Sequence, residues 1–108
     1  MNTQSAARAD RVFHAIADAN RRKILELLAA EERPVQDLVA PLGITVGAVS
    51  QHLKILHDSG LVTRRKAGRQ RFYRAVADAI DPVTDWAARY RRFWEGQFDQ
   101  LEKFIDSR

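Results

Sequence analysis

The chain has 108 residues, of which 45% are hydrophobic and 30% charged, so it holds a single domain with enough apolar surface for a core. Because it has no cysteine, disulfides, thiolate metal sites and cysteine nucleophiles are excluded. The net charge of +4 is unevenly distributed: residues 45–77 carry +6, residues 1–44 are neutral and residues 78–108 carry −2, which is typical of a protein that meets a polyanion along one face.

The chain begins with a polar lead over residues 1–8, which we expect to be disordered. Apolar residues at helical spacing then predict a first helix of about two turns, with a stripe formed by Val12, Phe13, Ile16 and Ala17. Asp18 is a favoured N-cap residue, and the apolar positions that follow it predict a second helix over Ala19–Ala30.

The third and fourth predicted helices are separated by a tight turn. A short third helix around Leu38 is expected to end at Pro41 and Gly43, since proline clashes inside a helix and glycine readily turns the chain. Thr45 can cap a fourth helix over Val46–Asp58, which the glycine of Ser59-Gly60 ends. Together the two helices form a predicted helix-turn-helix.

The outward face of the fourth helix carries small and polar residues, which suit a helix that enters the DNA major groove. The predicted DNA contacts on this face are Thr45, Gly47, Ala48, Ser50, Gln51, His52 and Lys54. Among them, Gln51 has the donor and acceptor pair that can read adenine. Taken alone, the same pattern also fits a surface helix in a small helical bundle.

The segment Val62–Val76 is predicted to be a β-hairpin, because strand-type residues flank a turn that contains Gly68. It contains six basic residues within eleven positions and no acid: Arg64, Arg65, Lys66, Arg69, Arg71 and Arg74. Since such a charge density is unfavourable unless a polyanion relieves it, the hairpin is interpreted as a wing that contacts DNA phosphates. The alternative is a solvated hairpin in which Phe72 and Tyr73 pack inward.

A long final helix is predicted from Pro82 to about Ile105, with Asp81 as its N-cap. Its aromatic stripe, if left exposed, would exceed the apolar patch that soluble monomers usually tolerate. We therefore predict a homodimer interface formed with the first helix by Val12, Phe13, Ile16, Val83, Trp86, Tyr90, Phe93, Trp94 and Leu101. The alternatives are a face packed within the chain and a small-molecule pocket near Trp86, Tyr90 and Trp94.

These elements predict a mainly α fold: a winged helix-turn-helix with four short helices, a β-hairpin wing and a long C-terminal dimerisation helix, in one domain over residues 9–108. No catalytic residues are expected, because His14, His52 and His57 lack a nucleophile-and-base pattern and no glycine-rich phosphate loop is present. Two other functions remain. A protein-interaction module would not need the basic block, and an RNA-binding protein usually relies on more exposed aromatic residues.

Several blocks of the sequence resemble the ArsR-type winged-helix repressors. They are VFHAIAD at residues 12–18, RRKILELL at 21–28, VSQHLKIL at 49–56, SGLV at 59–62 and the basic wing. The resemblance runs from about Asp10 to Tyr73, and the final helix fits in kind. It implies a dimeric repressor that binds an inverted repeat in double-stranded DNA and is released by a signal, whose effector the sequence does not identify.

The sensing residues of the metal-binding members are missing. In those members a Cys-Val-Cys-Asp-Leu segment lies on the third helix, whereas residues 34–38 here are Pro-Val-Gln-Asp-Leu. Other members place histidines on the final helix, and no histidine follows His57. The resemblance is therefore to the metal-independent branch, and we expect no metal site and no cofactor. Without an apolar leader segment, we expect a cytoplasmic protein with no membrane association.

Overall fold

The computed structural model describes residues 3–107. Its elements are α1 (Thr3–Ile16), α2 (Ala19–Ala30), β1 (Arg33–Pro34), α3 (Gln36–Leu42), α4 (Val46–Asp58), β2 (Val62–Ala67), β3 (Gln70–Ala75) and α5 (Asp81–Asp106). A 3-10 helix, Ala77–Ile80, joins β3 to α5. Helices α2, α3 and α4 each contact a strand of the three-stranded antiparallel sheet, so the predicted mainly α winged helix-turn-helix fold is confirmed.

Local capping explains why α2 and α4 begin where the sequence predicts. The backbone N–H of Arg21 donates to Asp18 Oδ1 at 3.1 Å, and the backbone N–H of Ala48 donates to Thr45 Oγ1 at 3.1 Å. Each of these bonds satisfies an amide that the first turn of a helix leaves without a backbone partner. Beyond α4, Gly60 adopts the predicted left-handed conformation, with φ of +81°.

The N-terminal lead differs from its prediction. Residues 3–8 belong to α1 and are exposed, whereas we expected them to be disordered; Met1 and Asn2 lie outside the described residues. A polar composition shows that this segment has nothing to bury. It does not oppose helix formation, because the segment contains alanines and no glycine or proline.

Two helix ends also differ from prediction. Pro41 lies inside the last turn of α3, which continues to Leu42 and ends at Gly43, where φ is +65°. Helix α5 has Ile80 as its N-cap instead of Asp81, because the 3-10 helix runs directly into it, and it extends to Asp106. In both cases the observed helix boundary lies one or two residues from the predicted one.

The sheet has the strand order β1-β3-β2, and strand β1 has no counterpart among the elements predicted from the sequence. This two-residue strand pairs Arg33 with Tyr73 and Pro34 with Phe72. It is too short to show a periodic pattern, so only the position of β3 beside it makes it a strand. The predicted hairpin of β2 and β3 is present, with Gly68 in its turn at φ of +64°.

The core lies between α1, α2, α3, α4 and the base of the hairpin. Its buried residues are Val12, Ala15, Ile24, Leu28, Leu38, Val49, Leu53, Leu56, Leu61, Val62, Tyr73 and Ala79. Three of them come from α4, which fixes that helix with its other side turned outward. No residue of α5 is buried. Among residues 3–107, no single helix is long and apolar enough to cross a membrane.

Candidate nucleic-acid interface

The outward side of α4 places most of the predicted DNA contacts together on one exposed surface. The exposed members are Thr45, Gly47, Ser50, Gln51 and Lys54, and Ala48 and His52 are half-buried. Lys54 Nζ lies 3.4 Å from Asp58 Oδ2 in an exposed pair one helical turn apart. Exposed pairs of this kind contribute little to stability, so the ammonium group stays available to another anion.

His52 contacts Arg21, a residue that is not among the predicted DNA contacts. Its Nδ1 lies 3.3 Å from Nη1 of Arg21, which is only 8% exposed. The guanidinium of Arg21 also donates to the carbonyl oxygens of His14 and Ala15 at the end of α1. The basic residues of a helix usually indicate a solvated face, so no signal in the sequence separates Arg21 from its neighbour Arg22.

The wing sorts its basic residues onto two faces. Because residues directly opposite in an antiparallel pair share a face, Arg64 lies with Tyr73, and Lys66 lies with Arg71. This face continues the buried side of the sheet at Val62 and Tyr73, and β2 lies next to α4. The opposite face carries Arg65, Arg74 and Phe72.

Arg65 is engaged within the chain. Its Nε donates to Glu32 Oε1 at 2.9 Å and Oε2 at 3.0 Å, and its guanidinium lies 4.9 Å from the centre of the Phe72 ring. The hydrogen bond from Arg65 lowers the pKa of Glu32, and the same bond raises the pKa of Arg65. A carboxylate of the same chain thus partly neutralises the charge of Arg65, and the contact of Arg65 with DNA stays a prediction.

Among the other basic residues of the wing, Arg74 interacts electrostatically with Glu32, and four keep their charges unpaired. Within residues 3–107, none of the ion pairs involves Arg64, Lys66, Arg69 or Arg71. All four are exposed, and Arg69 lies in the turn next to Gly68. The structure therefore places an unpaired basic surface on the wing. Arg64, Lys66 and Arg71 share the face that continues from Val62 and Tyr73, and Arg69 lies in the turn.

The aromatic stripe of α5 is open to solvent along its length. The large exposed apolar residues are Trp86, Tyr90, Phe93, Trp94, Phe98, Leu101, Phe104 and Ile105, each between 46% and 66% exposed. Trp86 stacks on Tyr90 and meets Phe13 of α1 edge to face. A shallow concavity of about 480 Å³ runs along α5 at Trp86, Tyr90 and Trp94, and no residue of α1 lines it.

The predicted dimer residues outside this stripe lie differently. Val12 is 1% exposed and belongs to the core of its own chain, so it is not available to a partner. Ile16 and Val83 are half-buried against that core, and Phe13 is half-buried beside Trp86. Helical spacing shows that α1 has an apolar stripe but does not show which other element covers it.

Comparisons with known proteins agree with this geometry. Residues 18–64 match the family described as bacterial regulatory protein, arsR family. The chain is also 39% identical to the HTH-type transcriptional regulator Rv2034 of Mycobacterium tuberculosis, over 91% of this chain and 89% of that protein. The chain belongs to the ArsR family. Because this family consists of transcriptional regulators and not of enzymes, the expectation of a non-enzymatic protein is confirmed.

Further ArsR-type relatives cover the fold. An ArsR-like transcriptional regulator from Rhodococcus sp. RHA1 has a TM-score of 0.80 and 26% identity, over 100% of this chain and 99% of that one. The homodimeric winged helix-turn-helix DNA-binding domain Mb0332 of Mycobacterium bovis has a TM-score of 0.67 and 28% identity, over 86% and 91%. The transcriptional repressor SdpR of Bacillus subtilis is 29% identical, over 69% and 83%.

Proposed function

We propose that this ArsR-family protein is a homodimeric repressor that binds an inverted repeat in double-stranded DNA. The observation that carries the proposal is the position of the exposed face of α4 beside the unpaired basic face of the wing. A helix with small and polar residues fits the major groove, and the adjacent cations fit the phosphates that border it. The protein would act in the cytoplasm, on the operator of the genes it regulates.

A second copy of the chain would supply the other half of the binding site. The exposed aromatic stripe of α5 supports this assembly, as does the homodimer formed by the similar domain of Mycobacterium bovis. Two-fold symmetry would place the two α4 helices in successive major grooves, about 34 to 36 Å apart. The operator should accordingly be an inverted repeat with half-sites one helical turn apart.

Individual residues have distinct roles in the proposed complex. Gln51 would read an adenine, while Arg64, Lys66, Arg69 and Arg71 would contact phosphates without reading sequence. Gly47 allows the backbone of α4 to approach the DNA closely. The fold of the chain does not require glycine at position 47, because a Cβ added to Gly47 would meet only Thr45 Oγ1, at an ordinary contact distance of 3.9 Å.

Repression would follow from occlusion of the promoter by the bound dimer, and the name of the relative SdpR supports repression over activation. Release would not use the metal sites of the family. Residues 34 and 36 are Pro34 and Gln36 where metal-sensing members have thiolates, and α5 contains no histidine. Within residues 3–107, no three side chains of His, Asp or Glu form a group that could hold a metal ion.

The proposal is tested by recovering genomic fragments on the purified protein and measuring affinity for the enriched sequence at two salt concentrations. We expect one inverted repeat, bound by a dimer with strong salt dependence. Salt-dependent binding without enrichment of any sequence would contradict the proposal and favour a protein-interaction module.

The wing offers a matched pair of variants for the same assay. Arg71→Ala should weaken binding to all sequences alike and reduce the salt dependence by about one phosphate contact. Arg65→Ala removes the same charge from the opposite face, where Glu32 already partners it, and should leave the salt dependence nearly unchanged. Equal reductions in both variants would show that the two faces of the wing do not differ toward DNA.

A further inference from the structure

The guanidinium of Arg21 makes three hydrogen bonds that connect α1, α2 and α4. Nε donates to the carbonyl oxygen of Ala15 at 2.6 Å, and Nη2 donates to that of His14 at 3.1 Å. Nη1 lies 3.3 Å from Nδ1 of His52, a residue of the proposed recognition helix. A buried cation is stable only with such partners, so this arginine is held in one orientation.

The chemistry of arginine decides the state of the imidazole that faces it. A guanidinium has five N–H donors, no acceptor, and keeps its proton at all pH values that proteins tolerate. A nitrogen that accepts from it must present its lone pair. In neutral His52, Nδ1 therefore carries no hydrogen, and the ring proton lies on Nε2.

The other edge of the ring is free to meet a ligand. Nε2 of His52 has no hydrogen-bond partner among residues 3–107. In that part of the chain, every fully buried side-chain nitrogen has such a partner. Nε2 therefore reaches solvent. His52 follows Gln51 in α4, the helix that carries the proposed DNA contacts.

We propose that Arg21 is a positioning residue that sets the tautomer of His52, so that the recognition helix presents an Nε2–H donor to a DNA acceptor. The acceptor is a phosphate oxygen, or N7 or O6 of guanine. That DNA is the ligand of His52 rests on the proposed function, whereas the tautomer of His52 is a property of the free protein. Asp18 and Arg21 are the charged groups that act on His52 from α2 and the turn before it.

The tautomer can be measured directly in the unmodified full-length chain by long-range ¹H–¹⁵N correlation spectra at pH 8, with His52 assigned through His52→Gln. We expect the His52 spectrum of a ring with a bare Nδ1 and a protonated Nε2. A protonated Nδ1 would overturn the proposal, whether or not the protein binds DNA. If this tautomer is found but no duplex is bound, the proposed function fails and the arginine contact stands.

Two substitutions with amide side chains test the roles of Nδ1 and Nε2 of His52 separately. His52→Gln places an amide near the position of Nε2 and keeps a donor for DNA, so affinity for the enriched repeat should fall by no more than about threefold. His52→Asn places its amide near Nδ1, keeps a partner for Arg21 and loses the outward donor, so affinity should fall by about tenfold. Equal losses in the two variants would overturn the donor role.

A double substitution tests whether Arg21 acts through His52. Arg21→Met should mix the two tautomers in the NMR spectrum and weaken DNA binding, whereas in the His52→Asn background it should weaken binding no further. An additional loss in that background would show that Arg21 only supports the fold. If Arg21→Met does not fold, the spectrum of the unmodified chain and the His52 pair still decide the proposal.

Discussion

Helices α4 and α5 are both amphipathic, yet their apolar sides meet different surroundings. Helix α4 has 13 residues and buries Val49, Leu53 and Leu56, whereas α5 has 26 residues and buries none. The radius of gyration of 18.9 Å exceeds the roughly 13 Å of a compact chain of this length. One apolar stripe is thus covered by its own chain, while the other stays exposed on a single copy, as the proposed dimer requires.

The strongest test of this comparison removes one large apolar side chain from each helix. Leu53→Ala should lower the free energy of unfolding by about 2 to 5 kcal/mol, because it leaves a cavity in the core. Phe98→Ala removes a side chain that is 66% exposed and should change the value by less than about 0.5 kcal/mol in dilute, monomeric protein. Urea unfolding followed by circular dichroism measures both, and similar costs would break the contrast.

A charge in the middle of the aromatic stripe tests the need for a second copy. Trp94→Glu should give a folded monomer at concentrations where the parent chain is a dimer, since a carboxylate is costly to bury in an apolar interface. Affinity for the full inverted repeat should fall about a hundredfold, because the two half-sites are then bound separately. Sedimentation and DNA binding measure the two effects. A variant that stays dimeric would place the interface elsewhere.

The smallest expected effect concerns the ion pair between Arg65 of the wing and Glu32, which follows α2. The hydrogen bond from Arg65 lowers the pKa of Glu32, so the folded state gains stability that is present above the ordinary glutamate pKa of about 4.3. That stability is lost as the pH falls through the lowered pKa. Glu32→Gln should therefore be less stable than the parent at pH 7, and the difference should be smaller at about pH 3.

Thermal unfolding at both pH values provides the measurement. Asp18 serves as an internal control, because the backbone N–H of Arg21 lowers its pKa in the parent and the variant alike. Some acid sensitivity should therefore remain in Glu32→Gln. A constant difference between the two proteins across this pH range would show that ionisation of Glu32 does not stabilise the wing.

The features that the sequence predicted well are those encoded by neighbouring residues. Asp18 and Thr45 cap helices that begin at the next residue, and Gly60 and Gly68 take the positive φ values that their turns require. The aromatic stripe of α5 was also predicted, since helical spacing alone shows that its members share one side. For such features, no knowledge of distant contacts is needed.

The features that the sequence did not predict depend on residues far apart in the chain. Arg21 meets His52 across 31 positions, and Arg65 meets Glu32 across 33, so neither pair has a characteristic spacing. Strand β1 exists only through its pairing with β3. Val12 was assigned to the dimer because its stripe is apolar, and only the packed helices show that the core covers it.

The strand order of the sheet has a consequence for how copies of the protein behave side by side. One edge is β1, which has two residues and ends in Pro34, a residue without an amide to offer another strand. The other edge is β2, where Arg64, Arg65 and Lys66 would repel an identical strand. Among residues 3–107, neither edge of this sheet thus favours pairing with another copy into an extended β-sheet.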